Sequence, residues 1–338
     1  MPTLLSVLVP LLLLTSSTLA DTRSQSSDFQ DYIDEKQKNI SKKVISIFDD
    51  IDKSISRWVE EDESEPAYKN QEDIVQIDEF FINDKYLEES ENSFLRVRLG
   101  TSLESKDSLD FSYKIRAQIP LNRTRKNFQL YIDEMKDDYI EGTPPTSDDQ
   151  KSLEVGVNFF APLYRDIKSK YSIGVSGLSV AAKARYSKDF NYKDWHIQPT
   201  QQFKYSTKSE FSEETDIYID KIIIKGFSLF RTTLYRKTQT HIKGFDYSAS
   251  FAYYLTPSSR KGLSLIQQFW GNSKYTCDAN PESFAGISDY STTVSWRQNI
   301  FRKWITYEIQ PTLSFHRQYD YDPNYILRFY MDFYFGNI

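Results

Sequence analysis

Asp110-Phe111-Ser112-Tyr113-Lys114-Ile115-Arg116-Ala117-Gln118-Ile119 alternates without a break: each odd position is apolar and each even position polar or charged. Successive side chains of a strand point to opposite faces, so this stretch has one greasy face and one that needs water or counter-charges. The same period recurs downstream. Leu153, Val155, Val157 and Phe159 repeat it, then Phe245, Tyr247, Ala249, Phe251 and Tyr253. Ile305, Tyr307 and Ile309 carry it on, as do Tyr325, Leu327, Phe329, Met331, Phe333 and Phe335.

Runs of about 10 residues are long for a globular sheet and match a tilted strand crossing a bilayer. Aromatics gather at the ends of the runs, as in Tyr253-Tyr254, Phe269-Trp270 and Trp304, where interfacial girdles sit. The pattern predicts an all-β fold: a transmembrane antiparallel up-and-down β-barrel of about 12–14 strands, apolar outward and polar inward. Tyr171–Phe190 reads as one long strand or as two broken near Gly177. Short turns are expected at Pro120–Asn127, Tyr164–Ser169, Lys225-Gly226, Thr256–Lys261 and Arg302-Lys303. Long loops are expected at 136–151, Lys208–Glu214, Gly271–Ser288 and Asp320–Asn324. Pro199 and Pro311 fall inside strand-like runs and demand bulges or irregular pairing.

Composition agrees. In 338 residues, 15% are aromatic and 39% hydrophobic, with a net charge of -6 and a mean hydropathy of -0.58. That hydropathy excludes a multi-span helical membrane protein. The aromatics argue against disorder, and the charge gives no footprint for nucleic acid. One cysteine, Cys277, excludes a disulfide scaffold or zinc finger.

Residues 1–20 read as a signal peptide, with an apolar run Leu4–Leu14 and small residues up to Ala20. Residues 21–92 read as a periplasmic helical segment and acidic linker, and 93–338 as an outer-membrane barrel. Within the N-terminal segment, 29–59 is expected to be an amphipathic helix. Ile33, Ile40, Val44, Ile47, Ile51 and Ile55 form a narrow seam along it. A lone helix of that length is marginal in water, so the seam should dock. It has four candidate sites: the protein's own body, the barrel lumen as a plug, a second copy, or a periplasmic partner.

Several phrases carry a resemblance: Ile77-Asp78-Glu79-Phe80-Phe81, Glu88 to Leu99, Arg116 to Phe128, Phe301 to Pro311, and the closing run Arg328 to Gly336. Over roughly residues 75–336 the chain resembles an uncharacterised family of proteobacterial outer-membrane β-barrel proteins. The resemblance implies fold and location, and no activity. The partners it implies are outer-membrane lipid and the barrel-insertion machinery. That machinery commonly reads a terminal aromatic, whereas here Gly336-Asn337-Ile338 follow Phe335.

No catalytic, metal or cofactor motif stands out. On the polar face, Lys114, Arg116, Glu154, Glu308, Arg328 and Asp332 are expected to line the lumen, as a pore or a salt-bridged plug. Ser314 and His316 share that face, a weak nucleophile–base pair that Glu308 or Asp332 would orient. The expected function is therefore a non-enzymatic barrel, acting as a narrow channel or as an envelope structural or docking protein. The alternatives are an outer-membrane lipid hydrolase and a secreted soluble ligand-binding β-protein.

Overall fold

The computed structural model describes residues 23–56, 77, 80–81, 94–107, 109–121, 127–133, 153–240, 243–258, 260–277, 280–299 and 302–336. The signal-peptide reading, the acidic linker and the loop at 136–151 lie outside these residues.

A helix, α1 (Arg23–Ser56), precedes the sheet. The strands follow: β1 (Phe94–Glu104), β2 (Asp110–Pro120), β3 (Phe128–Asp133), β4 (Glu154–Tyr164) and β5 (Ile167–Ser176). Next come β6 (Ser179–Lys188), β7 (Phe190–Tyr192), β8 (Trp195–Ser206), β9 (Glu210–Ile224) and β10 (Ser228–Gln239). The last five are β11 (Asp246–Ser258), β12 (Lys261–Cys277), β13 (Asn280–Gln298), β14 (Ile305–His316) and β15 (Pro323–Gly336).

Each pairs antiparallel with its neighbour in sequence, save that β6 and β8 pair directly, and the barrel closes where β1 meets β15. Phe94 stands opposite Gly336 in that closing ladder, so both ends of the barrel sequence reach the same rim, here the near rim. β6 and β7 hold one continuous register against β8, Ser187 opposite Thr200 and Phe190 opposite Ile197. They are one strand with an interruption, and the barrel has 14 strands.

Proline explains the interruption. Pro199 has no N–H to give to the ladder, and the pairing lapses beside it, between the Ser187–Thr200 and Phe190–Ile197 pairs. Pro311 does the same between β13 and β14, where pairing skips from Thr293–Thr312 to Trp296–Ile309. The expected irregularity takes the form of gaps without a shift of register. The 171–190 stretch is two strands, turning at Gly177, whose φ of 59 lies in the left-handed region.

Two expected loops are not loops. Gly271–Ser288 is mostly strand, because β12 and β13 pair onward to Cys277 opposite Asn280. β11 stops opposite Asn272, so this hairpin stands beyond its neighbour at the far rim. Cys277 therefore ends a strand. Lys208–Glu214 shrinks to a tight turn before Glu210, since the β8–β9 ladder runs to Ser206 opposite Glu210.

Burial is inverted relative to a soluble protein. Phe111 is 73% exposed and Ile173 62%, whereas Asp220 and Asp332 are 0% exposed. An apolar exterior around a charged interior is stable only with lipid outside, so the fold is a transmembrane barrel and the soluble alternative falls.

Candidate functional site: the charged lumen

The lumenal face collects the even-numbered positions of β2, and Lys114 and Arg116 are buried there. Glu154 starts β4 and is buried beneath Tyr131, whose hydroxyl donates to Oε1 at 2.5 Å. Lys183 reaches the same oxygen at 2.8 Å. Gly156 and Gly174 keep the site open for that phenol: a Cβ on Gly174 would stand 2.4 Å from the Tyr131 hydroxyl. Glu308 and Asp332 are buried, and Arg328 lies towards the far rim, 3.8 Å from Glu104.

Asp332 is the centre of a network across the closing strands. Its Oδ1 accepts from Arg96 Nε at 3.0 Å and Arg98 Nε at 2.8 Å. Its Oδ2 accepts from Arg96 Nη2 at 3.1 Å, Arg98 Nη2 at 3.0 Å and Arg297 Nη2 at 2.9 Å. Glu308 accepts from Arg297 Nη1 at 2.7 Å, Arg98 Nη2 at 3.2 Å and the Ser295 hydroxyl at 2.7 Å. Three guanidiniums and two carboxylates thus bind β1, β13, β14 and β15 together. Charge-assisted, partly bidentate bonds of this kind are the strong ones.

A second network lies across β8, β9 and β10. Arg231 holds Asp220 bidentately, at 2.6 and 2.8 Å. His196 bridges Asp220, 3.8 Å from Nδ1, to Asp189, 3.1 Å from Nε2. Asp189 also accepts from Gln198 at 2.7 Å and pairs with Lys168 at 2.7 Å.

The register sets like charges opposite each other on the lumenal face. Arg96 faces Arg116 and Arg98 faces Lys114, Lys170 faces Arg185, and Lys183 faces Lys204. Such pairs repel, so this wall depends on counter-charge. The wall of β9 is acidic by contrast, through Glu214, Asp216 and Asp220.

One patch of the lumen is apolar. Leu229, Ala252, Tyr254 and Ile266 form it, and Ile77, from the segment before the barrel, packs into it with Phe81. The Phe81 and Tyr254 rings lie 4.9 Å apart. Gly262 makes room: a Cβ there would stand 2.4 Å from Phe80 and 2.7 Å from Phe81. The interior is therefore partly filled by Ile77, Phe80 and Phe81, not by the long helix expected as one candidate plug. The spacing of Ile77, Phe80 and Phe81, one face of a helical turn, is the signal for it.

Helix α1 instead meets the near rim. Arg302 donates to Asp34, and so does Trp304 Nε1 at 3.3 Å. Gln37 Nε2 reaches the Tyr334 carbonyl at 3.5 Å. The barrel-facing side carries Asp34, Gln37 and Ser41, roughly a quarter-turn from the isoleucine seam. Ile47 remains 56% exposed and Ile40 also stays exposed, while Val44 and Ile51 are half-buried. The Ile33 and Ile55 side chains lie outside the described residues.

Ser314 and His316 face the lumen near the far rim. His316 Nε2 lies 3.0 Å from Asp289 Oδ1, and Ser314 stands opposite Ser291 and Asn324 in the ladder. Lipid lies on the other side of the wall, out of reach of this pair.

No family model matches the chain, and no curated protein matches it. Among solved structures, a loop-deletion mutant of OmpT, an outer membrane protein of Vibrio cholerae, is 9% identical. That match covers 72% of this chain and 98% of that one, at a TM-score of 0.46. OpdK from Pseudomonas aeruginosa is 8% identical over 72% and 98%, at 0.43. The KdgM porin is 6% identical over 70% and 98%, at 0.33. These values concern barrel architecture and carry nothing about activity.

Proposed function

We propose that this chain is a narrow channel of the outer membrane, with its helical segment on the periplasmic side. The observation that supports the reading is a charged lumen enclosed by a closed barrel with an apolar exterior. A protein that only needed a lipid-anchored platform gains nothing from burying Arg96, Lys114, Arg116, Asp220 and Asp332 inside. Strand number also fits, because 14 strands lie between eight-stranded barrels filled by side chains and the wide 16–18-stranded pores. Residues Ile77, Phe80 and Phe81 narrow the lumen against β10, β11 and β12.

Purified protein in a planar bilayer should show small, discrete conductance steps. Removing the two rings with Phe80→Ala/Phe81→Ala should enlarge them. Silence from both proteins, at protein densities where folded insertion is verified, would end the channel reading. Location is tested by membrane fractionation with heat-modifiable gel mobility. A second reading, docking of a periplasmic partner or a second copy through α1, draws on the exposed Ile40 and Ile47. Ile40→Ser/Ile47→Ser should then abolish recovery of the partner or the dimer while leaving conductance unchanged.

A further inference from the structure

A cleft of 380 Å³ lies between α1 and the near rim. Lys38 and Lys42 enter it from the helix and Lys303 from the β13–β14 turn, with Gln37, Ser41 and Trp304 also in the wall and Ile45 its apolar member. Among the described residues, these three lysines form no ion pair, whereas neighbouring Arg302 is already taken by Asp34. Ser41 accepts from Gln37 Nε2 at 3.0 Å, which leaves its own hydroxyl proton to donate inward. The cleft thus brings together three ammonium groups and a neutral donor, with no carboxylate in its lining. Lysine acts as a point-charge partner for phosphate, and several in one cleft suit a phosphomonoester or phosphodiester.

The position of the cleft selects the source of that phosphate. The Trp304 ring lies 6.3 Å from Phe333 and 6.4 Å from Phe335, on the outward face of the closing strand. An indole in such a row marks the boundary between hydrocarbon and headgroups. The cleft therefore opens at headgroup depth, beside lipid. Its volume equals about a dozen waters, enough for a glycerophosphate headgroup.

We propose that this cleft binds the phosphate headgroup of an anionic phospholipid and so pins α1 to the rim of the barrel. The lipid supplies the counter-charge that the cleft lining lacks, and its acyl chains lie along Phe333 and Phe335. The site does not depend on whether the lumen conducts.

The test is native mass spectrometry of the full-length protein, released from detergent after titration with phosphatidylglycerol or with phosphatidylcholine. Retained phosphatidylglycerol should exceed phosphatidylcholine. Near an anionic lipid each lysine contributes about a fivefold change in binding, so Lys38→Glu, Lys42→Glu and Lys303→Glu should each weaken the preference by at least that factor. All three residues are exposed, and folding is checked by heat-modifiable mobility. Lys193→Glu, in the β7–β8 turn at the same rim but outside the cleft, should leave the preference intact. Equal retention of the two lipids overturns the proposal, as does an equal effect of Lys193→Glu, which would mean diffuse attraction. Displacement of the lipid by millimolar inorganic phosphate also overturns it, because the site would then take free phosphate.

Discussion

Replacing Asp332 by asparagine isolates what holds the barrel's closing seam. The carboxylate receives five hydrogen bonds from Arg96, Arg98 and Arg297, on β1 and β13, and is 0% exposed. Asparagine keeps the volume, removes the charge, and turns an amide donor towards guanidinium donors. Among the described residues Arg96 then keeps no ion pair, while Arg98 and Arg297 still reach Glu308. Breaking a buried pair by removing one partner costs about 3–5 kcal/mol, because the other charge stays buried. At about 1.4 kcal/mol per tenfold change, the folding equilibrium should fall by about a hundred- to several-thousandfold. The assay is reversible urea titration of the protein in lipid vesicles, followed by tryptophan fluorescence and by gel mobility without heating. Glu104→Gln is the companion: its partner Arg328 is 3.8 Å away and the pair is partly exposed, so the cost should stay below about 1 kcal/mol. Adding Arg96→Met to Asp332→Asn removes the cation left without a carboxylate and should recover at least about 1 kcal/mol. A loss under about 1 kcal/mol for Asp332→Asn, or no recovery in the double variant, would refute the view that the seam is clamped by charge.

Other substitutions probe the rest of the molecule. Phe251→Arg, on the lipid face halfway along β11, should cost about 2–4 kcal/mol in vesicles, read by the same titration, and much less in a short-chain detergent. Gly174→Val puts a branched side chain where the Tyr131 hydroxyl lies and should cost about 1–3 kcal/mol; adding Tyr131→Ala should restore much of it. Hydrogen bonding from Arg302 holds the Asp34 carboxyl below its ordinary range against desolvation, with a further, smaller contribution from Trp304. A lowered carboxyl stabilises the docked helix above the ordinary carboxylate range and loses that contribution as pH falls through the depressed value. Spin-label distances between α1 and the β13–β14 turn should therefore stay constant from neutral pH to about 5 and lengthen only in stronger acid.

The strands were readable because a barrel wall between lipid and a wet lumen imposes period two on the covalent sequence itself. Asp110–Ile119 shows this, and so does the closing run from Tyr325 to Phe335. Side-chain alternation alone put Lys114, Glu308 and Asp332 on one face. The helix was equally local: the isoleucine spacing marks it, and the structure extends it back to Arg23. What period two leaves open is which strand ends leave the belt, hence the strand hairpin where a loop was expected at Gly271–Ser288.

Sequence by itself determined the apolar exterior, the polar lumen and the approximate strand number, since these follow from one residue after another along a strand. Only the tertiary structure decided which charges meet. Asp332 lies 236 residues from Arg96, and their bond exists because the first strand closes on the last. It also decided that Ile77, Phe80 and Phe81, not the long helix, enter the lumen. The short segment presents two phenyl rings to an apolar patch over Gly262, while the helix turns a polar side to the rim and leaves Ile40 and Ile47 exposed. Register and closure set these meetings, and neither is written in any local stretch of the chain.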